Sequence, residues 1–489
     1  MRARCPRILL SCLLAQATLV GLAPSRHGSA FAGEPMRVDC SRRIGRIRAL
    51  HGVNNGPLNF GEIIDLSAYY RQARFPLARL HDCEWPNPDL VDFHTIFPDL
   101  RADPTRPESY RFSRTDTYVE AIIKAGTGIV YRLGESIETT RRKYHVVPPA
   151  DYHQWAAACV GIIRHYNEGW ADGFRHGIRY WEIWNEPENR PNMWSGSDDD
   201  YYRLYAAAAR AIKTRFPQLK VGGPSVGATG DLVDGRLQPT DFVTGFLKYC
   251  KAHTLPLDFF SWHTYTDNPH LYAQKGHAIR KLLDAHGFTT TENHLNEWNY
   301  LPNNDWRPLS LEGQGLMRQR FYETIGGPAG AAFLACTLIY LQDSPVDMAN
   351  YYCGETNQFG LFNAYGTPKK TFHAMRAFAK LLDTPVRLAT SGQQPGQTAL
   401  CAGASEDATR VAVLVSNFRS ASRTFHLDIQ SVPWQGASRW EMLRLDATQD
   451  LAPGGSGTFE GPQARITVEL AAPCLAVVTL TPVRAVSGR

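Results

Sequence analysis

Two short segments hold the residues best suited to chemistry: Trp181-Glu182-Ile183-Trp184-Asn185-Glu186-Pro187 and His294-Leu295-Asn296-Glu297-Trp298-Asn299. In each, β-favouring residues (Tyr180, Ile183 and Trp184; Leu295 and Trp298) run into an Asn-Glu pair, and turn formers such as Pro187, Asn189 and Pro302 follow. This pattern sets Glu186 and Glu297 at the carboxyl ends of two strands. A pair of carboxyls on opposite sides of one sugar ring is the apparatus for cleaving an acetal through an oxocarbenium-like transition state. One member must be protonated and the other ionised, so the two need different surroundings. Asn185 puts an amide next to Glu186, suited to holding a sugar hydroxyl, and Trp298 offers Glu297 a wall or a stacking face. Glu182 lies two residues upstream on the same strand face and deeper, where a buried hydrogen-bonded pair is expected rather than catalysis.

Such carboxyls need a scaffold that brings distant strand ends together. From about Arg46 to Lys380 short β-like runs alternate with amphipathic helical ones, the signature of βα units and a parallel sheet. Eight strands are expected: 49–54, 77–81, 127–132, 180–185, 219–222, 259–264, 294–298 and 348–352. Helices are expected over 151–166, 198–216, 241–252 and 371–382. In the second of these, Asp198, Asp199 and Asp200 favour the positive helix start, Leu204, Ala207, Ala208, Ala211 and Ile212 form one apolar stripe, and Pro217 ends it. Eight alternations in this length fit an α/β fold of the (β/α)₈ TIM-barrel type, whose active face lies at the carboxyl ends of the strands. A doubly wound open sheet with a dinucleotide lacks support, because no G-x-G-x-x-G follows the first strand.

Beyond Thr384 the texture changes to short alternating runs at 410–415, 424–428, 465–468 and 475–480, which predicts an accessory antiparallel β-sandwich. The expected organisation is an export signal over 1–32, a catalytic barrel over 33–383 and a sandwich over 384–489, with a strand from 33–45 joining the sandwich. Arg2, Arg4 and Arg7 precede an apolar run from Ile8 to Leu22, and Ala30-Phe31-Ala32 supplies a small-x-small cleavage pattern. A secreted or periplasmic protein is therefore expected, without a membrane span, since that run is short and interrupted by polar residues. With 489 residues, 43% hydrophobic and 20% charged, the chain is ordinary globular material. Its net charge of +5 and the lack of any basic cluster longer than Arg141-Arg142-Lys143 argue against nucleic acid. Eight cysteines remain after the signal, with no C-x-x-C, no H-E-x-x-H and no His-x-His, so neither a metal nor a cofactor is expected. Cys401 and Cys474 are candidates to bridge strands of the tail. Oligomeric state has no signal in the sequence.

The strand-four motif resembles that of the large clan of (β/α)₈ glycosidases with a retaining mechanism. Within it the chain most resembles glycoside hydrolase family 39, the β-xylosidase and α-L-iduronidase family. The stretches that carry the likeness are Leu77-Ala78-Arg79-Leu80-His81-Asp82, Asp258 to Tyr265, Asn296 to Asn299, and Phe359-Gly360-Leu361-Phe362 through Lys369. The resemblance implies Glu186 as acid/base and Glu297 as nucleophile. It also implies that Asn185 holds the sugar 2-hydroxyl, that Tyr265 hydrogen-bonds the nucleophile, and that His81 and His263 line the sugar subsite. Glu297-Trp298-Asn299 is similar to the xylosidase side of the family, yet Asn350 to Glu355 stands where a Trp-rich, Asp-bearing stretch is usual. A β-xylosidase-like enzyme is thus expected, with an arabinopyranoside, a galactoside or an internal exopolysaccharide bond as alternatives. A carbohydrate-binding barrel without turnover would have no need of both acids, and a metal-dependent barrel hydrolase lacks its ligand motif.

Overall fold

The computed structural model describes residues 35–84, 90–310 and 312–483, so the export signal expected over 1–32 lies outside the described residues. Strand β1 (Met36–Arg46) comes first. The barrel follows as β2 (Gly52–Asn54), α1 (Ser67–Ala73), β3 (Leu77–Leu80), α2 (Ser113–Lys124), β4 (Gly128–Leu133), α3 (Tyr152–Asn167), β5 (Tyr180–Ile183) and α4 (Asp198–Arg215). It continues with β6 (Lys220–Val226), α5 (Asp241–Ala252), β7 (Phe259–Thr266), α6 (Leu271–Ala285), β8 (Glu292–Tyr300), α7 (Leu316–Gly326), α8 (Pro328–Leu341), β9 (Met348–Tyr351) and α9 (Lys370–Lys380). Strands β2 to β9 are parallel neighbours in chain order and close into a barrel when β9 pairs with β2. Each expected barrel strand is present, offset by a few residues at its ends.

Local chemistry accounts for the helices. Ser197 and Asp200 form a reciprocal capping box at the start of α4, and Thr240 caps α5 through the Val243 amide. Asp151 accepts from the amides of His153 and Gln154 and so starts α3.

The tail supplies β10 (Val386–Ser391), β11 (Thr398–Ala404), β12 (Val411–Asn417), β13 (Thr424–Gln430), β14 (Ala437–Leu445), β15 (Asp450–Glu460), β16 (Ala464–Glu469) and β17 (Cys474–Pro482). With β1 they form one folded-over sheet in the order β15-β14-β17-β12-β11-β10-β1-β13-β16. Pairing is antiparallel throughout except between β1 and β13, which run parallel.

Strand period explains why Val411-Ala412-Val413-Leu414-Val415 is apolar at every position. Val411, Val413 and Val415 face the core of the sandwich, while Ala412 and Leu414 face the barrel. On the barrel side the partner is α8, buried from Gly330 to Leu341 because it has the barrel on one flank and the sandwich on the other. Ser416 donates to the Ala332 carbonyl at 2.9 Å and Tyr340 to the Thr398 carbonyl at 2.5 Å across this seam. No single helix among the described residues is long and apolar enough to cross a membrane.

All eight described cysteines are buried free thiols, so the bridge considered between Cys401 and Cys474 is not formed. Cys401 faces the barrel and Cys474 the sandwich core, on opposite faces of the sheet.

Candidate active site

Two strand irregularities build the site. In the pairing of β7 with β8, Trp262 faces Leu295 but His263 faces Glu297, so Asn296 is an extra residue. In the pairing of β6 with β7, Ser261 faces Pro224 and Trp262 faces Val226, which makes Ser225 extra, with a left-handed φ of 57°. Such bulges re-aim side chains at barrel rims. Here they add Asn296 and Ser225 to an interior already occupied by Arg79 and Glu182.

Arg79, at the end of β3, is fully buried and ties this interior together. Its Nε donates to Glu182 Oε2 at 2.6 Å, Nη1 to Asn54 Oδ1 at 3.0 Å and Glu297 Oε2 at 3.2 Å, and Nη2 to Asn185 Oδ1 at 2.5 Å and Ser225 Oγ at 2.7 Å. Glu182 therefore forms a buried ion pair, and its other oxygen accepts from Asn296 Nδ2 at 2.6 Å. Such a pair orients more than it stabilises, because removing one partner leaves a buried charge that costs about 3–5 kcal/mol.

Glu186 sits three residues past β5, where the chain leaves strand geometry through left-handed Trp184 (φ 71°) and Glu186 (φ 42°). Bonds from the Trp184 amide to the Leu133 carbonyl and from the Glu186 amide to the Ser225 carbonyl hold that turn at 2.8 and 3.0 Å. Strained backbone held this firmly marks a position whose side chain must point one way. The carboxylate accepts from Asn189 Nδ2 at 2.9 Å and meets His263 Nδ1 at 2.8 Å. Burial raises its proton affinity, but the bond and charge of His263, with Asn189 and Arg79, outweigh burial and hold it below the usual carboxylate range. His263 responds in the opposite sense: burial lowers it, and Glu297 and Glu186 together raise it.

Glu297 faces Glu186 across the same space. An oxygen of each carboxylate and a nitrogen of His263 lie within 4.8 Å of one another. Tyr265 donates to Glu297 Oε1 at 2.5 Å, while Oε2 faces Arg79 Nη1 and, at 3.6 Å, His263 Nε2. Burial pushes the Tyr265 phenol well up, so it stays a donor.

A cavity of about 690 Å³ opens over these groups. Glu186, Glu297, His263 and Tyr265 line it, with Asp82 and an aromatic rim of Trp306, Tyr322, Tyr352 and Phe359. His81 and Asn185 lie just beneath it rather than in its lining. Burial holds His81 neutral, well below its ordinary value, with Nε2 3.3 Å from Asp82 Oδ1. Asn185 spends its oxygen on Arg79 and Ser225 and turns Nδ2 toward Met193 Sδ at 3.8 Å.

Trp298 does not wall the site as expected. The bulge at Asn296 keeps Glu297 inside the barrel and turns the next side chain outward, where Trp298 packs fully buried against Tyr272 and Tyr351. Trp306, half exposed on the loop after β8 and 5.1 Å from the Tyr265 ring, takes the place at the mouth that sequence reasoning gave to Trp298. Arg79, Ser225, Asn296 and Asp82 were not expected in the site. Of these only Arg79 left a trace, a charged residue within an apolar strand run.

Comparison with known proteins agrees with this geometry. The model of glycosyl hydrolases family 39 matches residues 87–391. A β-xylosidase of Geobacillus stearothermophilus is 30% identical over 268 residues, 49% of each chain, and a β-xylosidase of Caldicellulosiruptor saccharolyticus is 23% identical over 59% of this chain and 60% of its own. The chain thus spans about half to three fifths of the curated relatives it matches. Among solved structures, a glucosidase from Croceicoccus marinus superposes with a TM-score of 0.76 and 28% identity, covering 92% of this chain and 99% of that one. A GH39 enzyme from Xanthomonas axonopodis pv. citri gives 0.70 and 18% identity over 95% and 100% of the two chains, a likeness of fold.

Proposed function

The chain belongs to family 39 of the glycosyl hydrolases, and from that premise we propose a retaining β-glycosidase of β-xylosidase-like specificity. The observation that supports the mechanism is the approach of the Glu186 and Glu297 carboxylates, with oxygens within 4.8 Å of one another. Retaining enzymes hold their two carboxyl groups about 5–5.5 Å apart, whereas inverting enzymes leave room for a water between them.

In this reading Glu297 attacks the anomeric carbon, with its plane fixed by Tyr265 on one oxygen and Arg79 on the other. Glu186 protonates the departing oxygen. Its proton comes from the Glu186–His263 pair, which in the open site lies toward imidazolium and carboxylate. A sugar filling the cavity displaces water from that ion pair and favours its neutral form, with the proton on Glu186. Ester formation at Glu297 then removes a negative charge from the site, the Glu186 carboxyl acidifies, and it takes the proton of an incoming water.

The xylosidase relatives favour a pentose glycone. A β-glucoside is the second reading, favoured by the 28% identity to the glucosidase across 92% of this chain. Export through residues 1–32, giving a secreted or periplasmic enzyme, belongs to the same proposal.

A panel of aryl β-xylosides, β-glucosides, β-galactosides and α-L-arabinopyranosides tests the glycone. Glu297→Ala should abolish turnover of every substrate. Glu186→Ala should retain glycosylation by activated aryl leaving groups and accelerate on addition of azide. Equal loss in both variants with no azide rescue refutes the assigned roles.

A further inference from the structure

A third carboxyl shares the cavity with Glu186 and Glu297. Glu188, two residues past Glu186, lines the same space. Its Oε1 accepts from the amides of Gly227 and Ala228 at 2.6 and 2.9 Å, which ties the segment after β5 to the turn after β6. Its Oε2 is buried and meets no donor among the described residues. A buried polar atom left unpaired costs about 1–3 kcal/mol, so bracing alone does not explain the residue. A glutamine would brace the turn through the same oxygen with no charge to bury.

What a carboxyl adds is its field on the neighbouring acid. Gly227 lies between the two groups: its amide donates to Glu188, and a Cβ built on it would lie 2.5 Å from Glu186 Oε1. The ionisable groups that act on Glu188 are Glu186 from its own segment and His263 from β7. Tyr201, on α4, stands near it and is kept neutral by burial. Burial and then the Glu186 charge push the Glu188 carboxyl up to about 7.

We propose that Glu188 is a positioning residue for the acid/base: it braces the turn beside Glu186 and, when ionised, its charge retains the single proton that Glu186 and His263 share. The inference rests on the acid/base reading of Glu186. Like charges in one buried site raise the proton affinity of the pair, which titrates as a unit. Removing the charge while keeping the brace should therefore make the Glu186–His263 pair lose that shared proton at lower pH.

The test is the pH profile of kcat/KM for the mature enzyme and its Glu188→Gln variant on two glycosides of the preferred glycone. One has a poor leaving group that needs protonation, such as methoxyphenol, and the other is dinitrophenol, which does not. The alkaline limb of Glu188→Gln should move down by about one pH unit on the methoxyphenyl glycoside and stay in place on the dinitrophenyl one. Glu188→Asp, which keeps the charge, should return the limb toward wild type. An unmoved limb in Glu188→Gln, or the same displacement on both substrates, overturns the proposal. Failure of the underlying reading would look different: Glu186→Gln would hydrolyse the methoxyphenyl glycoside as fast as wild type.

Discussion

Gly227→Ala isolates the placement of one carboxyl. Gly227 does not use left-handed backbone, so alanine is conformationally acceptable there. What the new methyl group meets is Glu186, at 2.5 Å from Oε1, 2.8 Å from Cδ and 3.3 Å from Cγ. Real side chains do not approach within 3.0 Å, so the carboxyl must retreat by at least about 0.5 Å to relieve the clash and by about 0.9 Å to reach an ordinary contact of 3.4 Å. The group that yields is the end of a side chain rather than backbone, so the fold should hold and the melting temperature should stay within about 2 °C. Catalysis should not. The displaced acid loses its line to the departing oxygen and its 2.8 Å contact with His263, and a misplacement approaching 1 Å costs about a hundredfold in rate. The deficit should fall on kcat for alkyl or methoxyphenyl glycosides and shrink to a few fold with dinitrophenol, which departs without a proton. Two results would refute the reasoning: wild-type kcat on the methoxyphenyl glycoside, or an equal deficit on both substrates, which would put the damage on the nucleophile's side.

Two further expectations follow from burial. Trp298→Phe should lower stability by about 1–3 kcal/mol through the space left between Tyr272 and Tyr351, with KM unchanged within about twofold; a tenfold rise in KM at unchanged melting temperature would return Trp298 to the sugar. Asp82 and Glu188 are pushed by burial to about 7 and Glu355 to about 8. In the native state these groups still bind protons at a pH where the unfolded chain has released them, so stability falls as pH rises through 6.5 to 8. Calorimetry at fixed ionic strength should show the melting temperature dropping over that window, by roughly 1–2 kcal/mol of stability for Glu355 alone. A melting temperature that climbs steadily to pH 8 contradicts the assignment.

The barrel was legible because its period is. Apolar runs such as Phe259-Phe260 and Val411 to Val415 read as strands, the second of which, expected among the alternating runs of the tail, is buried on both faces, and Asp198 to Asp200 and Pro217 mark the ends of α4. The wholly apolar α8 was less informative, since its sequence shows burial without showing that a second domain provides half of it. Two of the four acids lining the cavity, Glu186 and Glu297, were visible for a local reason, an Asn-Glu pair following β-favouring residues. The residues that orient them were not. Ser225 and Asn296 reach the interior only as the extra residues of two bulges, and a bulge leaves no mark in a strict two-residue period. Trp298 shows the same effect in reverse, placed at the site by adjacency to Glu297 and turned away by the pleat. Glu188 carries no local signal in the sequence, and only the fold puts the Gly227 amide against it.

Hydrogen-bond capacity at Ser225 links these positioning residues to the proposed exchange of roles by Glu186. A hydroxyl accepts twice and donates once. Arg79 Nη2 and Asn296 Nδ2 fill the two accepting sites, so the single proton serves either Asn185 Oδ1 at 3.0 Å or the nearer His263 Nε2 at 2.7 Å. With both accepting sites filled, the serine cannot receive a proton from His263 Nε2. An imidazolium must instead aim that N–H at Glu297 Oε2, 3.6 Å away. The second proton on His263 is therefore supported by the charge of Glu297 together with the bond and charge of Glu186. In the proposed mechanism, esterification of Glu297 removes the first of these supports. His263, having passed one proton through Glu186 to the departing oxygen, is then neutral, and Glu186 is left as the carboxylate that the incoming water needs. In the proposed mechanism the Ser225 hydroxyl, fixed by Arg79 and Asn296, would leave His263 Nε2 to answer to the state of the nucleophile, a role for the residues that the two bulges bring inside.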